Sequence, residues 1–258
     1  MFRSIGFIGG GRVTRILLGG WKLGQALPQI VRVSDPGADS LEKLRRILPW
    51  IERFAGDNAP PATCDIVFLA LHPPAIPAVL GEIRSHLRPD ATLVSLAPKI
   101  SLAKLTELAG RARNVARVIP NAPSIIGEGF NPVAFSGNIN RDAKEDLNAL
   151  LRVLGKCPEV REDSLEAYAI LTGMGATYLW FQLVELMRLA ETFGLGAEEA
   201  AEATYRMVAG AAKTLHESGL SPEDVIDLIP VKPLAEDEDT IREIYRSRLS
   251  ALHRKLKG

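Results

Sequence analysis

Apolar residues follow two rhythms along this chain. In the first half, short and uniformly apolar runs ("SIGFIGG" at 4–10, "QIVRVSDP" at 29–36, "CDIVFLAL" at 64–71, "ATLVSLAP" at 91–98, "NVARVI" at 114–119) are bounded by Gly, Pro, Asp and Asn. Runs of that length read as strands. Several of the stretches between them carry the helical period. "RVTRILLGGWKLG" (12–24) puts Val13, Ile16, Leu17 and Leu23 on one side, "DSLEKLRRILPW" (39–50) is capped by Asp39 or Ser40 and stopped at Pro49, and "AIPAVLGEIRSHL" (75–87) brackets a third helix. Strands apolar on both faces and separated by helices predict a parallel sheet covered on both sides, a doubly wound α/β domain. Beyond it, "NPVAFSGN" (131–138) reads as an added strand, "NRDAKEDLNALLRVLG" (140–155) as a helix with an Asn cap and a closing Gly, and "KCPEVRE" (156–162) as a last edge strand.

From Asp163 the rhythm is helical throughout, over 163–194, 196–219, 222–228 and 236–258, with no strand candidate. The predicted organisation is therefore a dinucleotide-binding domain over 1–162 and an all-α domain over 163–258. In 163–194, Leu179, Leu183, Leu186, Ala190 and Phe193 form one stripe, and Trp180, Val184 and Met187 cover a second. A helix apolar over so much of its girth needs cover on several sides. A homodimer formed through these helices is expected to supply it. One oddity sits inside the same stretch: "LTGMGATYLW" (171–180) places Gly173 and Gly175 in a helical pattern, at a cost of about 1 kcal/mol each relative to Ala. Bare backbone is needed there, for close packing or for a ligand.

Composition narrows the functional classes. The chain has 258 residues, 47% hydrophobic and 24% charged, and Lys+Arg and Asp+Glu are both 31, so no global field favours nucleic acid or an anionic membrane. The acidic "AEDEDT" (235–240) and basic "RSRLSALHRKLKG" (246–258) match the two ends of one helix dipole. Met1 leads directly into "FRSIGFIGGG" and no run of 18 apolar residues occurs, which points to a cytoplasmic protein with no membrane partner. Cys64 and Cys157 have no redox or metal spacing, and His72, His86, His216 and His253 are scattered, so metalloenzyme and hydrolase readings lack support and no metal is expected.

The candidate chemistry lies at the carboxyl ends of the strands. "GGGRVT" (9–14) follows a strand and opens a helix: Gly9 allows a tight turn, Gly11 lets a diphosphate approach backbone N–H groups, and Thr14 stands where a third glycine is usual. Arg12 and Val13 continue that turn. Asp35, ending the second strand in "VSDP", stands where an acid accepts hydrogen bonds from an adenosine ribose; the alternative is a helix cap. An acid there disfavours a 2′-phosphate, but Ser34 and Arg12 are nearby and could still bind one, so NADH leads NADPH by only a small margin. "ALHPPAIP" (70–77) puts Ala70, Leu71, His72 and Pro73 at the same edge, and "SLAP" adds Ala97. "RVIPNAPSIIGEG" (117–129) presents Asn121 between two prolines, as an anchor for a carboxamide or substrate or as a plain turn residue.

Together these segments resemble the pyrroline-5-carboxylate reductase family over essentially the whole chain. "IGFIGGGRVTRILLGG" (5–20) is similar to its nucleotide turn, "DIVFLALHPP" (65–74) to its strand followed by Val-Lys-Pro-Gln, "RVIPNAPSIIGEG" to Arg-Val-Met-Pro-Asn-Thr-Pro, and "LTGMGATYLW" to Leu-Ser-Gly-Ser-Gly-Pro-Ala-Tyr. The resemblance implies a Rossmann-like domain followed by a helical domain interlocked with its twin, and hydride transfer from NADPH or NADH to a C=N carbon, the last step of proline synthesis. It implies that Asn121, Gly173, Met174 and Gly175 line the substrate; the product nitrogen is expected to take its proton from a hydroxyl such as Thr172 or Thr177, or from water, since an iminium substrate can arrive already protonated. It also exposes departures. Met174 stands for a serine, His72 for the lysine, and "LIPVKPLAEDEDT" (228–240) replaces the Ser-Pro-Gly-Gly-Thr-Thr loop that holds the substrate carboxylate, leaving Lys232 as the obvious cation. Two rival readings follow: a non-catalytic nucleotide-binding dimer acting as sensor or partner, and a relative reducing NADP with a deazaflavin, which has no need of the helical half.

Overall fold

The computed structural model describes residues 2–257. It divides into two compact units, one running to Met174 and regaining the chain from His253, the other spanning Gly175–Leu252.

The first unit is built on a seven-stranded sheet of order β3-β2-β1-β4-β5-β6-β8. Its strands are β1 (Ser4–Ile8), β2 (Ile30–Asp35), β3 (Glu52–Ala55), β4 (Ile66–Leu69), β5 (Thr92–Ser95), β6 (Asn114–Val118) and β8 (Val133–Phe135), the last pairing antiparallel to β6 and all others parallel. α1 (Arg12–Leu23), α2 (Ala38–Ile47) and α6 (Arg141–Arg152) cover one face, where Leu17, Leu18, Leu44, Leu147 and Leu151 are buried. There Trp21 packs against Phe7 and Phe68, with ring centroids 6.0 and 5.6 Å away, and its indole N–H donates to the Leu150 carbonyl at 2.9 Å, so the largest apolar body in the core leaves no buried donor unpaired. α3 (Ala59–Ala62), α4 (Ile76–Ile83) and α5 (Leu102–Ala109) lie along the other face, with Ala62, Ile76, Leu80, Ile83 and Leu105 buried. The parallel sheet with helices on both faces is the expected α/β architecture.

Three local expectations need correction. The helix over 39–50 begins at Ala38 with Gly37 as its cap, and neither Asp39 nor Ser40 caps it by a side chain. The segment 156–162 is not one continuous edge strand: Gly155–Lys156 (β9) pairs with Gly129–Phe130 (β7) in a separate two-stranded ribbon, and beyond it the segment meets the large sheet only at an isolated bridge, where the Val133 N–H of β8 donates to the Pro158 carbonyl and the Val160 N–H donates to the Val133 carbonyl. Pro158, without an N–H, accepts there but cannot donate. The stretch 163–194 is not one helix. A short α7 (Leu165–Tyr168) runs into a π-turn at Ala169–Gly173, and α8 (Ala176–Thr192) starts only after Gly175. Leu165 and Ala169 pack into the second face of the sheet, which is why the units part at Met174 rather than at the change of rhythm near Asp163.

The second unit contains α8, α9 (Ala197–Glu217), α10 (Pro222–Asp227) and α11 (Glu238–Lys257), the last ending in the first unit. No residue of α8 is buried, and Trp180, Phe181, Leu186, Leu189 and Phe193 are all exposed. Among the described residues, no helix is long and apolar enough to cross a membrane.

Candidate functional site

The strand order reverses between β1 and β4, and the crevice at such a point, beyond the carboxyl ends of the strands, is where these sheets take ligands. Gly9 lies at its centre. Its N–H donates to the Ser34 carbonyl at 2.8 Å, and the Ala70 N–H donates to the Ile8 carbonyl at 2.8 Å, so the turn is tied to the strands on both sides. Gly9 has φ +102°, and a Cβ there would lie 2.3 Å from the Ala70 carbonyl oxygen. Only glycine serves. Gly11, which opens α1, is different: its φ is an ordinary −74° and no atom lies within 4 Å of where a Cβ would point. The first N–H groups of α1 carry no side-chain cap, leaving donors and a positive dipole end beside open space.

Thr14 is buried and its hydroxyl donates to the Gly9 carbonyl at 2.6 Å, so the residue in the third glycine's place ties the helix back to the turn. Thr14→Val keeps the volume and strands that carbonyl; we expect a loss of about 1–3 kcal/mol in chemical denaturation. An unchanged denaturation midpoint would show that the bond carries nothing.

Asp35 ends β2 within reach of the same turn. One carboxylate oxygen accepts from the Gly10 N–H and the other from the Gly37 N–H, both at 2.7 Å. Beside it Ser34 is buried and its hydroxyl donates to the Asn58 side-chain oxygen. Arg12 and His72 are exposed, Val13, Ala70, Leu71 and Pro73 are half-buried, and Ala97 is buried just beyond β5.

Asn121 follows β6 in a turn (Ala122–Ile126) that packs against α1. Its side-chain oxygen accepts from the Phe130 N–H at 3.1 Å, while its side-chain nitrogen makes no hydrogen bond among the described residues. The turn is held by a residue that sequence reasoning missed. Asn131 is fully buried, and its oxygen accepts from the Asn121 N–H at 3.2 Å and the Ser124 hydroxyl at 2.7 Å. A polar residue opening an otherwise apolar strand was the only signal in the sequence.

The π-turn lies against the same strand end. The Met174 N–H reaches five residues back to the Ala169 carbonyl at 3.0 Å, and a Cβ on Gly173 would meet Ile119 Cγ2 at 3.2 Å and the Pro120 carbonyl oxygen at 3.8 Å. Single π-turns inside helices recur at functional sites. Gly173 is thus kept small by its contact with the residues just before Asn121. Gly175 has a φ of −53°, which any residue adopts. The Thr172 hydroxyl donates to the Tyr168 carbonyl at 3.0 Å. In the second unit, Thr177 lies exposed in the first turn of α8 and Lys232 is exposed in the loop after α10.

A buried charge cluster, also missed, braces this edge. Arg117 on β6 donates to Glu162 and Glu166, and Glu166 also accepts from the Lys99 N–H.

Residues 4–99, from β1 through the segment after β5, match the family model described as NADP oxidoreductase, coenzyme F420-dependent. Beyond that region the likeness continues. Pyrroline-5-carboxylate reductase 3 of Xenopus laevis is 30% identical over 222 residues, 84% of this chain and 79% of that protein. This chain belongs to the pyrroline-5-carboxylate reductase family. The pyrroline-5-carboxylate reductase of Corynebacterium melassecola is 29% identical over 226 residues, 86% of this chain and 83% of that protein. The family fold is matched in full by the pyrroline carboxylate reductase of Plasmodium falciparum, a structure with NADP bound, at a TM-score of 0.82 and 21% identity over 99% of this chain and 97% of that one. The 1-pyrroline-5-carboxylate reductase of Streptococcus pyogenes gives the same TM-score of 0.82 over 98% of both chains.

Proposed function

We propose that this chain is a nicotinamide-dependent reductase of cyclic imines, working in the cytoplasm as a homodimer. The glycine turn carries the reading: its open space at Gly11, its uncapped N–H groups and the fixed Asp35 carboxylate form a donor and acceptor set that suits an adenosine diphosphate, together with membership of the family. The reduced cofactor supplies a hydride to the imine carbon. The protein's part is to bind and orient. Backbone N–H groups after Gly9 and Gly11 take the diphosphate, Asp35 takes the ribose, and Ala70, Leu71, His72, Pro73 and Ala97 border the nucleotide. Asn121 offers its free amide N–H groups to the reacting end, and Gly173 and Met174, followed directly by Gly175, give the substrate a small and apolar wall. The imine nitrogen enters protonated or takes its proton from water or a hydroxyl; the Thr172 hydroxyl donates to the Tyr168 carbonyl in this structure.

The dimer is supported by the exposed apolar helices of the second unit, including an apolar groove of about 470 Å³ lined by Tyr178, Phe181, Ile241, Ile244 and Tyr245. The test is oxidation of NADH and NADPH by the purified chain over a panel of cyclic imines with and without a ring carboxylate, beginning with pyrroline-5-carboxylate. Turnover on at least one is expected. Tight nucleotide binding with no turnover on any would instead identify a non-catalytic sensor or partner protein, the reading favoured by the departure at 228–240.

A further inference from the structure

The surroundings of Asp35 go further than a generic ribose contact. A carboxylate accepts about four hydrogen bonds, and here two are taken by the Gly10 and Gly37 N–H groups at 2.7 Å, one on each oxygen. That grip comes from two separate turns and fixes the group rigidly against the glycine loop: a Cβ on Gly10 would lie 3.2 Å from Asp35 Cβ. No Lys or Arg nitrogen forms an ion pair with Asp35 among the described residues.

The neighbouring groups that a 2′-phosphate would need are already committed. The Ser34 hydroxyl is buried and turned to Asn58, whose side-chain nitrogen in turn lies 3.3 and 3.4 Å from the two Glu82 oxygens. The first turn of α2 adds another acid, Asp39, held by Lys43. Against these stands Arg12, exposed on α1 and without an ion-pair partner among the described residues. An exposed cation with no partner to fix it does not make a phosphate site; a pair of ribose hydroxyls, by contrast, finds two free lone pairs on an acceptor already in place.

We propose that Asp35 selects the cofactor, accepting the two adenosine ribose hydroxyls of NADH and repelling the 2′-phosphate of NADPH, so that this chain is NADH-preferring. The proposal rests on the nucleotide-binding reading above. Calorimetric titration of the full chain with NADH and with NADPH tests it, alongside Asp35→Ser and the isosteric Asp35→Asn should the serine variant fold poorly. Wild type is expected to bind NADH about 30-fold or more tightly than NADPH, because like charges held in contact are strongly selected against. Both variants should narrow that ratio to about fivefold or less, chiefly by strengthening NADPH. Wild-type affinities within about threefold of each other, or a ratio unmoved by the variants, would overturn the assignment while leaving nucleotide binding intact. Failure of wild type to bind either nucleotide would overturn both readings at once.

Discussion

Replacing Arg117 with methionine is expected to destabilise the first unit by about 3 kcal/mol, the lower end of the usual cost of stranding a buried charge, because Glu166 is left buried without its cation while Glu162 keeps some contact with water. The Arg117 side chain is 3% exposed, and its two terminal nitrogens reach Glu162 at 2.9 Å and Glu166 at 2.5 Å. Those acids also accept backbone N–H groups, Leu102 to Glu162 at 2.5 Å and Lys99 to Glu166 at 3.1 Å, so the cluster joins β6 to the loop after β5 and to the start of α7. Lys99 adopts a left-handed φ of +78°, a conformation that this bond helps to hold. Removing the guanidinium keeps the chain's shape but strips three segments of their common partner. Thermal unfolding should show a Tm lower by about 10 °C, and Arg117→Met combined with Glu166→Gln should recover part of the loss. A drop of under about 1 kcal/mol would mean that water already serves the acids.

The same cluster sets a pH signature. Burial alone would raise the Glu166 carboxyl, but the hydrogen bond from Arg117, the Lys99 N–H and the Arg117 charge together hold it below the ordinary glutamate value. A folded pKa below the unfolded one contributes stability above the unfolded value of about 4.3, lost as pH falls through the folded value. The wild-type chain should therefore lose more stability than Glu166→Gln on acidification from pH 5. In Arg117→Met the sign reverses, because a buried carboxyl without its cation titrates above its ordinary value and destabilises as pH rises.

Two glycine substitutions should separate folding from ligand binding. Gly9→Ala forces a side chain to φ +102° and 2.3 Å from the Ala70 carbonyl oxygen, so the turn must shift between β1 and β4. Strain of about 1–2 kcal/mol from the dihedral alone adds to that clash. We expect a lowered Tm together with loss of NAD(P)H affinity on the order of 100-fold. Gly11→Ala meets no protein atom within 4 Å and keeps an ordinary dihedral, so its Tm should match wild type. Its nucleotide affinity should nevertheless fall at least tenfold, by about 1.4 kcal/mol, because the added methyl stands in the path of the diphosphate. Wild-type affinity in Gly11→Ala would place the nucleotide elsewhere.

Some of the missed elements were visible and some were not. α5 had its signals: Ser101 caps it through the Lys104 N–H, and Leu102, Leu105 and Ala109 are buried on one side, an ordinary cap and stripe. β3 had none, since a four-residue edge strand half open to solvent needs no apolar run. The break after α7 was equally hidden. The apolar pattern continues across residues 169–175, and only the contact of Gly173 with Ile119 and the five-residue bond at Met174 reveal the π-turn. Of the glycine pair, Gly173 is pressed close to Ile119.

Periodicity, caps and turn residues determined the strands, most of the helices, the α/β class and the place of the glycine turn, because each depends on residues within a few positions of one another. Family membership was legible in the same way, from short motifs spread over the chain. Tertiary structure alone decided the partners. Asp35 meets Gly10 across 25 residues, Arg117 meets Glu166 across 49, and Asn131 holds Asn121 across 10. The pairing of parallel strands brings these groups together, and their hydrogen bonds form because buried polar atoms must be satisfied wherever the chain's crossovers deliver them. No local pattern records that delivery.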